Sequence, residues 1–277
     1  MSGLDIPDVF HLARPNGERL CVYHAPATGP ARAALVYVHP LAEEMNKSRR
    51  MAALQSRALA AAGCAVLRID LHGCGDSSGD FADASWDDWV DDVVAACGWL
   101  RERVAAPLWL WGLRAGCLVA AAAAARLEVP PHLLFWQPTP NGRLVLQQFL
   151  RLRLAAQMID GAGKAAMDEM RGRLAGGQDI EVAGYRLPAA LAAGLERAQL
   201  APANGVERLE WLELSGRPEP ELAPASSQAI GAWQATGCRV ESRIVPGVAF
   251  WQTNEIEDAP ALVDATLAIF DASGAVR

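Results

Sequence analysis

The chain has 277 residues, 52% of them hydrophobic, which is enough to bury a large core. Its net charge of -7 argues against nucleic acid as a partner, because binding to phosphate needs a basic surface. The six cysteines are scattered, without a C-x-x-C pair or the spacing of metal ligands. We therefore expect free thiols in a reducing compartment, no metal site and no cofactor.

The first residues lack the basic and apolar segments of a secretory signal. The longest uncharged apolar run, 115–125, is far shorter than the ~20 residues that span a bilayer. These two features lead us to expect a cytoplasmic protein with no membrane span.

Two kinds of pattern alternate along the chain. Residues 8–25 alternate in polarity around Asn16-Gly17, which predicts a hairpin of two strands. Apolar runs predict six further strands, most of them buried on both faces, at 33–38, 64–69, 107–111, 132–136, 209–214 and 239–245. Helical spacing or capping signals predict helices at 46–62, after Ser85, at 117–125 and at 260–270.

Strands that alternate with helices indicate an α/β protein with a mostly parallel sheet covered by helices on both faces. The alternation stops between 137 and 206, where the chain is rich in predicted helix, with 146–154 as the clearest amphipathic segment. We therefore divide the chain into a first core part (1–136), a helical cap insertion (137–206) and a second core part (207–277). The insertion either covers a site or forms an ordinary helical subdomain with no gating role.

The stretch 109–116 has the pattern of a nucleophile elbow. An apolar strand enters it, Gly112 and Gly116 flank its centre, and a helix of small residues leaves it. The usual pattern is G-x-S-x-G, with serine as the nucleophile. Here the central residue is Arg114, whose guanidinium stays protonated and cannot attack a substrate.

Three motifs occur in the order found in α/β hydrolases, and the chain resembles that superfamily along essentially its whole length. His39-Pro40 stands where the oxyanion loop has His-Gly. Residues 70–79, Asp-Leu-His-Gly-Cys-Gly-Asp-Ser-Ser-Gly, resemble the D-x-x-G-x-G-x-S-x-G turn, and residues 112–116 resemble the elbow. The implied fold is an α/β-hydrolase fold with a helical cap.

Four segments also resemble a narrower family, the exosortase A system-associated hydrolase 2 family: 39–51, 112–116, 147–154 and 250–256. Members of that family are encoded near the exosortase and PEP-CTERM sorting machinery of exopolysaccharide-producing bacteria. The resemblance implies a hydrolase acting on ester or thioester (acyl) bonds.

In this superfamily an acid follows the strand after the cap, and a histidine follows the last strand. Glu219 stands near the position of the acid, although it is equally typical of a solvated loop. Phe250 and Trp251 stand where the histidine is needed, and no histidine follows His132. The usual relay of acid, imidazole and hydroxyl therefore cannot form in its usual positions.

The remaining candidate residues belong to the expected pocket. The backbone N–H groups of Leu41 and Ala115 stand where an oxyanion hole would form. We also expect side chains near the pocket mouth from these residues: His39, Glu43, Glu44 and Trp251. Other nucleophiles are conceivable with His39 or His72 as the base, although each has an ordinary structural role as its alternative: Ser48, Cys74, Ser77, Ser78 and Cys117.

A buried Arg114 needs an anionic partner. That partner is either a carboxylate of the chain, with Glu43, Glu44, Asp76 and Glu219 as candidates, or an anionic ligand held by the guanidinium. Two functions follow: a hydrolase with a non-standard site, or an inactive relative. The inactive relative would bind a small acyl or anionic ligand, or a protein partner of the sorting or exopolysaccharide machinery.

Overall fold

The computed structural model describes residues 6–156 and 163–271. Residues 1–5, on which the expectation of no secretory signal rests, lie outside the described part. Eight strands form one sheet in the order β1-β2-β4-β3-β5-β6-β9-β10. Strand β2 is antiparallel to both its neighbours, and the remaining neighbours pair in parallel.

The strands of this sheet are β1 (Asp8–Arg14), β2 (Gly17–His24), β3 (Ala34–Val38), β4 (Ala65–Ile69), β5 (Leu108–Leu113), β6 (His132–Trp136), β9 (Arg208–Ser215) and β10 (Arg239–Pro246). The helices beside it are α1 (Glu43–Ala61), α2 (Trp86–Arg101), α3 (Ala115–Ala124), α7 (Pro224–Ala235) and α8 (Pro260–Asp271). Every strand expected from the sequence is confirmed. Helix α1 begins three residues earlier than predicted, and helix α7 was not predicted from the sequence.

Successive side chains of the central strands point to opposite faces, as strand geometry requires. Leu35 of β3 packs in a core with Trp111 and Leu59, on the side of α1 and α8. Val36 belongs to a second core, with Leu110 and the helices α2 and α3. Both faces of the sheet are therefore buried, which explains why the central strands are continuously apolar.

Between β6 and β9 the chain forms α4 (Gly142–Ala156), α5 (Gly163–Ala175), β7 (Ile180–Val182), β8 (Tyr185–Leu187) and α6 (Ala189–Arg197). We call this set of elements the cap. The small antiparallel hairpin β7–β8 was not predicted, because strands of three residues show no usable periodicity. Its apolar side chains are buried, and α4 contacts both α5 and α6.

None of the helices in the described part of the chain is long and apolar enough to cross a bilayer.

Candidate functional site

The turn between β5 and α3 holds Arg114 in a conformation that side chains rarely adopt. Its φ is 54° and its ψ is -118°, and its N–H donates to the carbonyl oxygen of Trp136 at 3.0 Å. The residues on either side are glycines because a Cβ at either position would clash with the backbone. A Cβ on Gly116 would lie 2.2 Å from the carbonyl oxygen of Val38, and one on Gly112 would lie 2.6 Å from Cα of Cys117.

The guanidinium of Arg114 contacts three separate parts of the chain. Nε and Nη2 donate to Oε1 of Glu44 at 3.3 and 3.2 Å, and Nη2 also donates to Oε1 of Gln148 at 2.6 Å. The guanidinium carbon lies 5.7 Å from the centroid of the Trp251 ring, a distance typical of a cation–π contact. Of the four acidic residues considered as partners, Glu44 makes the ion pair.

These partners come from different elements. Glu44 lies in the first turn of α1, Gln148 lies in cap helix α4, and Trp251 lies between β10 and α8. All three line a cavity of about 310 Å³, which we call the elbow cavity. Its other lining residues are Leu41, Glu43, Lys47, Val145, Phe149, Leu152 and Gln252.

A second contact joins the cap to α1. The hydroxyl of Tyr185, in β8, donates to Oε2 of Glu43 at 3.3 Å and accepts from Nδ2 of Asn46 at 2.9 Å. Burial and the neighbouring Glu43 carboxylate raise the pKa of Tyr185 to about 12, so the phenol stays neutral. The two acidic residues that begin α1 thus have different partners: Glu43 pairs with the cap and Glu44 with the elbow.

His39 is buried, and both of its ring nitrogens are engaged. Nδ1 lies 2.8 Å from the carbonyl oxygen of Pro40, which can only accept, so this nitrogen carries the hydrogen. Nε2 accepts from the N–H of Leu71 at 3.2 Å, and burial lowers the pKa of the imidazole. A neutral ring with both nitrogens occupied positions the loops after β3 and β4, and has no free nitrogen for a substrate.

The hydroxyl groups considered as alternative nucleophiles are hydrogen-bonded to the backbone. The Ser48 hydroxyl donates to the carbonyl oxygen of Glu44 at 2.6 Å. The Ser77 hydroxyl donates to the carbonyl oxygen of Asp70 at 2.5 Å and accepts from the N–H of Leu20 at 2.9 Å. Ser78 accepts from the N–H of Glu18. These serines hold turns and helices in place.

The thiols of Cys74 and Cys117 are buried, and burial raises the pKa of both well above the ordinary value. A thiol is a good nucleophile only as the thiolate, so neither is activated. His72 is buried as well, and its Nδ1 lies 3.9 Å from Oδ2 of Asp88 and makes no hydrogen bond with the described residues. All six cysteines are unpaired and buried.

The structure does not bring Glu219 to the elbow. Its side chain is exposed in the loop between β9 and α7, and it does not line the elbow cavity. Leu41 lines that cavity, and Ala115 is the first residue of α3, so its N–H is at a helix N-terminus. Within the described residues, no three His, Cys, Asp or Glu side chains cluster as metal ligands would.

Two participants in the site were missed from the sequence. Gln148 and Tyr185 both belong to the cap, and each reaches α1 or the elbow only through the folding of distant segments. The amphipathic spacing of 146–154 indicated the helix that carries Gln148, but a single glutamine among its polar residues gave no sign of the contact.

The Hydrolase_4 family model, described as serine aminopeptidase S33, matches residues 29–134. No curated protein matches this chain by sequence. Solved structures similar to it include XC6422 from Xanthomonas campestris, described as an α/β serine hydrolase without a lid. That match has 18% identity and a TM-score of 0.57, and covers 97% of this chain and 94% of the other.

Two esterase structures are also similar. Est1E from Butyrivibrio proteoclasticus has 12% identity and a TM-score of 0.63, with 97% of this chain and 99% of the other covered. A thermostable carboxyl esterase from Bacillus coagulans has 12% identity and a TM-score of 0.62, with 96% and 98% covered. The chain has the α/β-hydrolase fold. In α/β hydrolases the nucleophile lies on the turn between the central strand and the next helix, and in this chain that turn carries Arg114.

Proposed function

We propose that this α/β-hydrolase fold binds a small acyl ligand in the elbow cavity and does not perform serine-hydrolase chemistry. The observation that carries the proposal is the ion pair between Arg114, at the elbow, and Glu44, at the cavity wall. A serine hydrolase needs a hydroxyl at this turn with an imidazole in reach. Here the turn presents a cation that already has its counter-ion.

The other nucleophile and base candidates support the same conclusion. The imidazole of His39 has both nitrogens engaged, and the hydroxyl of Ser77 already donates to a backbone carbonyl. Cys74 and Cys117 are buried thiols with raised pKa. None of them forms the pair of nucleophile and base that covalent catalysis requires.

The lining of the elbow cavity favours an acyl chain with an uncharged polar head. Leu41, Val145, Phe149 and Leu152 supply apolar walls. The charge of Arg114 is neutralised by Glu44, so an added anion would have to displace a carboxylate that already accepts two hydrogen bonds. An amide or hydroxyl head can instead donate to the second carboxylate oxygen of Glu44, which has no hydrogen-bond partner among the described residues.

Hydrolysis of ester or thioester bonds is the second candidate, and the α/β-hydrolase fold and the match to the S33 model favour it. The resemblance of segments 39–51, 112–116, 147–154 and 250–256 to the exosortase A system-associated hydrolase 2 family extends the proposal. Either activity would then act in the cytoplasm, beside the PEP-CTERM sorting or exopolysaccharide machinery, with small molecules or a protein of that machinery as partners.

A pair of assays separates the two candidates. Wild type and Arg114→Ser are treated with a fluorophosphonate probe and with short-chain aryl esters. We expect no covalent labelling and no turnover from wild type. Labelling or turnover by wild type would refute the binding proposal and establish the hydrolase.

Binding is measured by titrating octanamide, an uncharged acyl probe, into wild type and Leu152→Trp. Leu152 lines the elbow cavity, so the larger side chain is expected to weaken binding by about tenfold or more. The matched control is Leu144→Trp, two turns earlier on the same helix at an exposed position outside the cavity lining, which should leave the affinity unchanged. Equal affinity of all three proteins would contradict the proposal.

A further inference from the structure

The cap contains a second cavity of about 310 Å³, which we call the cap cavity. It lies among the three cap helices and is lined by Leu146, Arg171, Leu174, Ala175, Ala192, Ala193, Glu196 and Arg197. Leu146 lies early in α4 and Leu174 lies at the end of α5. All of the lining residues belong to the described part of the chain.

The cap cavity is apolar, with an excess of positive charge at its wall. Leu146, Leu174 and Ala192 are buried apolar residues that line it. The charge of Glu196 is neutralised by Arg143, which does not line the cavity and whose Nε donates to Oε1 of Glu196 at 2.8 Å. Of the two lining arginines, Arg171 is half-buried and Arg197 is exposed, and neither has a hydrogen bond or ion pair with any residue that the structure describes.

One nitrogen of Arg171 lacks a hydrogen-bond acceptor. Its Nε is buried from solvent and has no hydrogen-bond partner in the described structure. A buried N–H without an acceptor costs about 1–3 kcal/mol, which a bound acceptor would recover. The missing group is an acceptor, and a guanidinium binds carboxylate or phosphate best because its fork matches two oxygens at once.

We propose that the cap cavity binds a small anionic amphiphile, with its carboxylate or phosphate held by Arg171 and Arg197. Its short apolar chain would lie against Leu146, Leu174 and Ala192. The volume suits a ligand near the lower end of the ~300–1,000 Å³ typical of small-molecule sites. In a chain of net charge -7, two unpaired arginines beside an apolar cavity give a local preference for anions.

The site is distinct from the elbow cavity, whose wall includes Glu43 and Glu44 beside Lys47, with Glu44 paired to Arg114. Helix α4 separates the two: Leu146 lines the cap cavity, whereas Val145 and Phe149 line the elbow cavity. The proposal does not depend on whether the elbow cavity binds an acyl ligand or supports hydrolysis.

Calorimetric titration of the full chain with octanoate, octyl phosphate and octanamide tests the proposal. We expect both anions to bind wild type, and Arg171→Gln and Arg197→Gln each to weaken them by about tenfold, as expected for loss of a charge-assisted hydrogen bond. Octanamide affinity should not change in these variants. The relative affinities of octanoate and octyl phosphate identify which head group the cavity prefers.

Two further variants complete the design. Arg173→Gln removes an arginine of the same helix that does not line the cavity, and should leave octanoate binding unchanged. Ala193→Phe places a ring at the wall and should reduce octanoate binding even if an arginine variant folds poorly. The proposal is overturned if wild type binds neither anion at millimolar concentration, or if Leu152→Trp weakens octanoate while Arg171→Gln and Ala193→Phe do not.

Discussion

Two turns of this molecule have nearly the same backbone and very different side chains. Ala42 begins α1 after β3 with φ 49° and ψ -118°, and Arg114 begins α3 after β5 with φ 54° and ψ -118°. The two strands are neighbours in the sheet. Such a conformation costs about 1–3 kcal/mol, and the surrounding structure must impose it.

The side chains at the two turns are both buried but differ in size, charge and partners. The methyl group of Ala42 is buried beside a small cavity that it shares with Cys74, Phe81 and Tyr185. Arg114 carries a charge and forms the ion pair with Glu44. Two adjacent strands thus lead into the helices that follow them through the same strained shape, although α1 and α3 pack on opposite faces of the sheet. In this protein the strain alone is therefore no evidence for a reactive side chain.

We expect the largest effect on stability from a substitution that disturbs the packing around the Arg114 turn. In Gly116→Ala the new Cβ would lie 2.2 Å from the carbonyl oxygen of Val38 and 2.7 Å from that of His39. Backbone atoms cannot move aside as a side chain can, so we expect a loss of about 3 kcal/mol in the free energy of unfolding. Urea denaturation measures it.

The matched control is Gly231→Ala, at an exposed position of helix α7, where an added Cβ meets nothing within 4 Å. It should stabilise the protein by about 0.5–1 kcal/mol, since alanine is the better helix former. If both substitutions have the same small effect, close approach of the two strand–helix units does not impose the turn.

The loop that precedes Ala42 gives a smaller effect, visible as a dependence on pH. Burial lowers the pKa of His39 below its ordinary value of 6.5, while the carboxylates of Asp70 and Asp92 oppose this shift and Arg49 adds to it. The unfolded chain therefore takes up the proton first. The contribution to stability is fully present above about pH 6.5 and is lost as the pH falls.

We expect the free energy of unfolding of wild type to fall by about 1 kcal/mol more than that of His39→Gln between pH 7 and pH 5.5. Denaturation in urea at both pH values provides the measurement. His132→Gln serves as the comparison, because burial also lowers the pKa of that half-buried histidine, far from the Ala42 turn. Identical pH dependence in wild type and His39→Gln would show that the imidazole of His39 is not held neutral.

Most of the fold could be predicted because the information is local. Five-residue apolar runs such as 34–38 must be buried, and the spacing of Gly112 and Gly116 is enough to mark the elbow. The partner of Arg114 could not be predicted, since four acidic residues satisfied the need for a counter-ion equally well. The choice of Glu44 depends on α1 beginning at Glu43, three residues earlier than the apolar spacing indicated.

The cap was the least predictable part for a related reason. The amphipathic spacing of 146–154 indicated one of its helices, but the contacts of Gln148 and Tyr185 depend on how the cap lies on the core. The orphaned Nε of Arg171 is likewise a property of three packed helices. A sequence motif records the residues on one segment, whereas these features each require segments that are far apart in the chain.

The strain at the two turns can be relieved by glycine at either position. Ala42→Gly removes the Cβ that makes a positive φ unfavourable, which should gain about 1–2 kcal/mol, against a cost of about 0.5–1 kcal/mol for the more flexible unfolded chain. We expect a net stabilisation of about 0.5–1 kcal/mol in urea denaturation.

Arg114→Gly relieves the same strain but also breaks the ion pair with Glu44, so it should destabilise the protein. If both variants are stabilised alike, the Arg114–Glu44 pair contributes nothing to the fold.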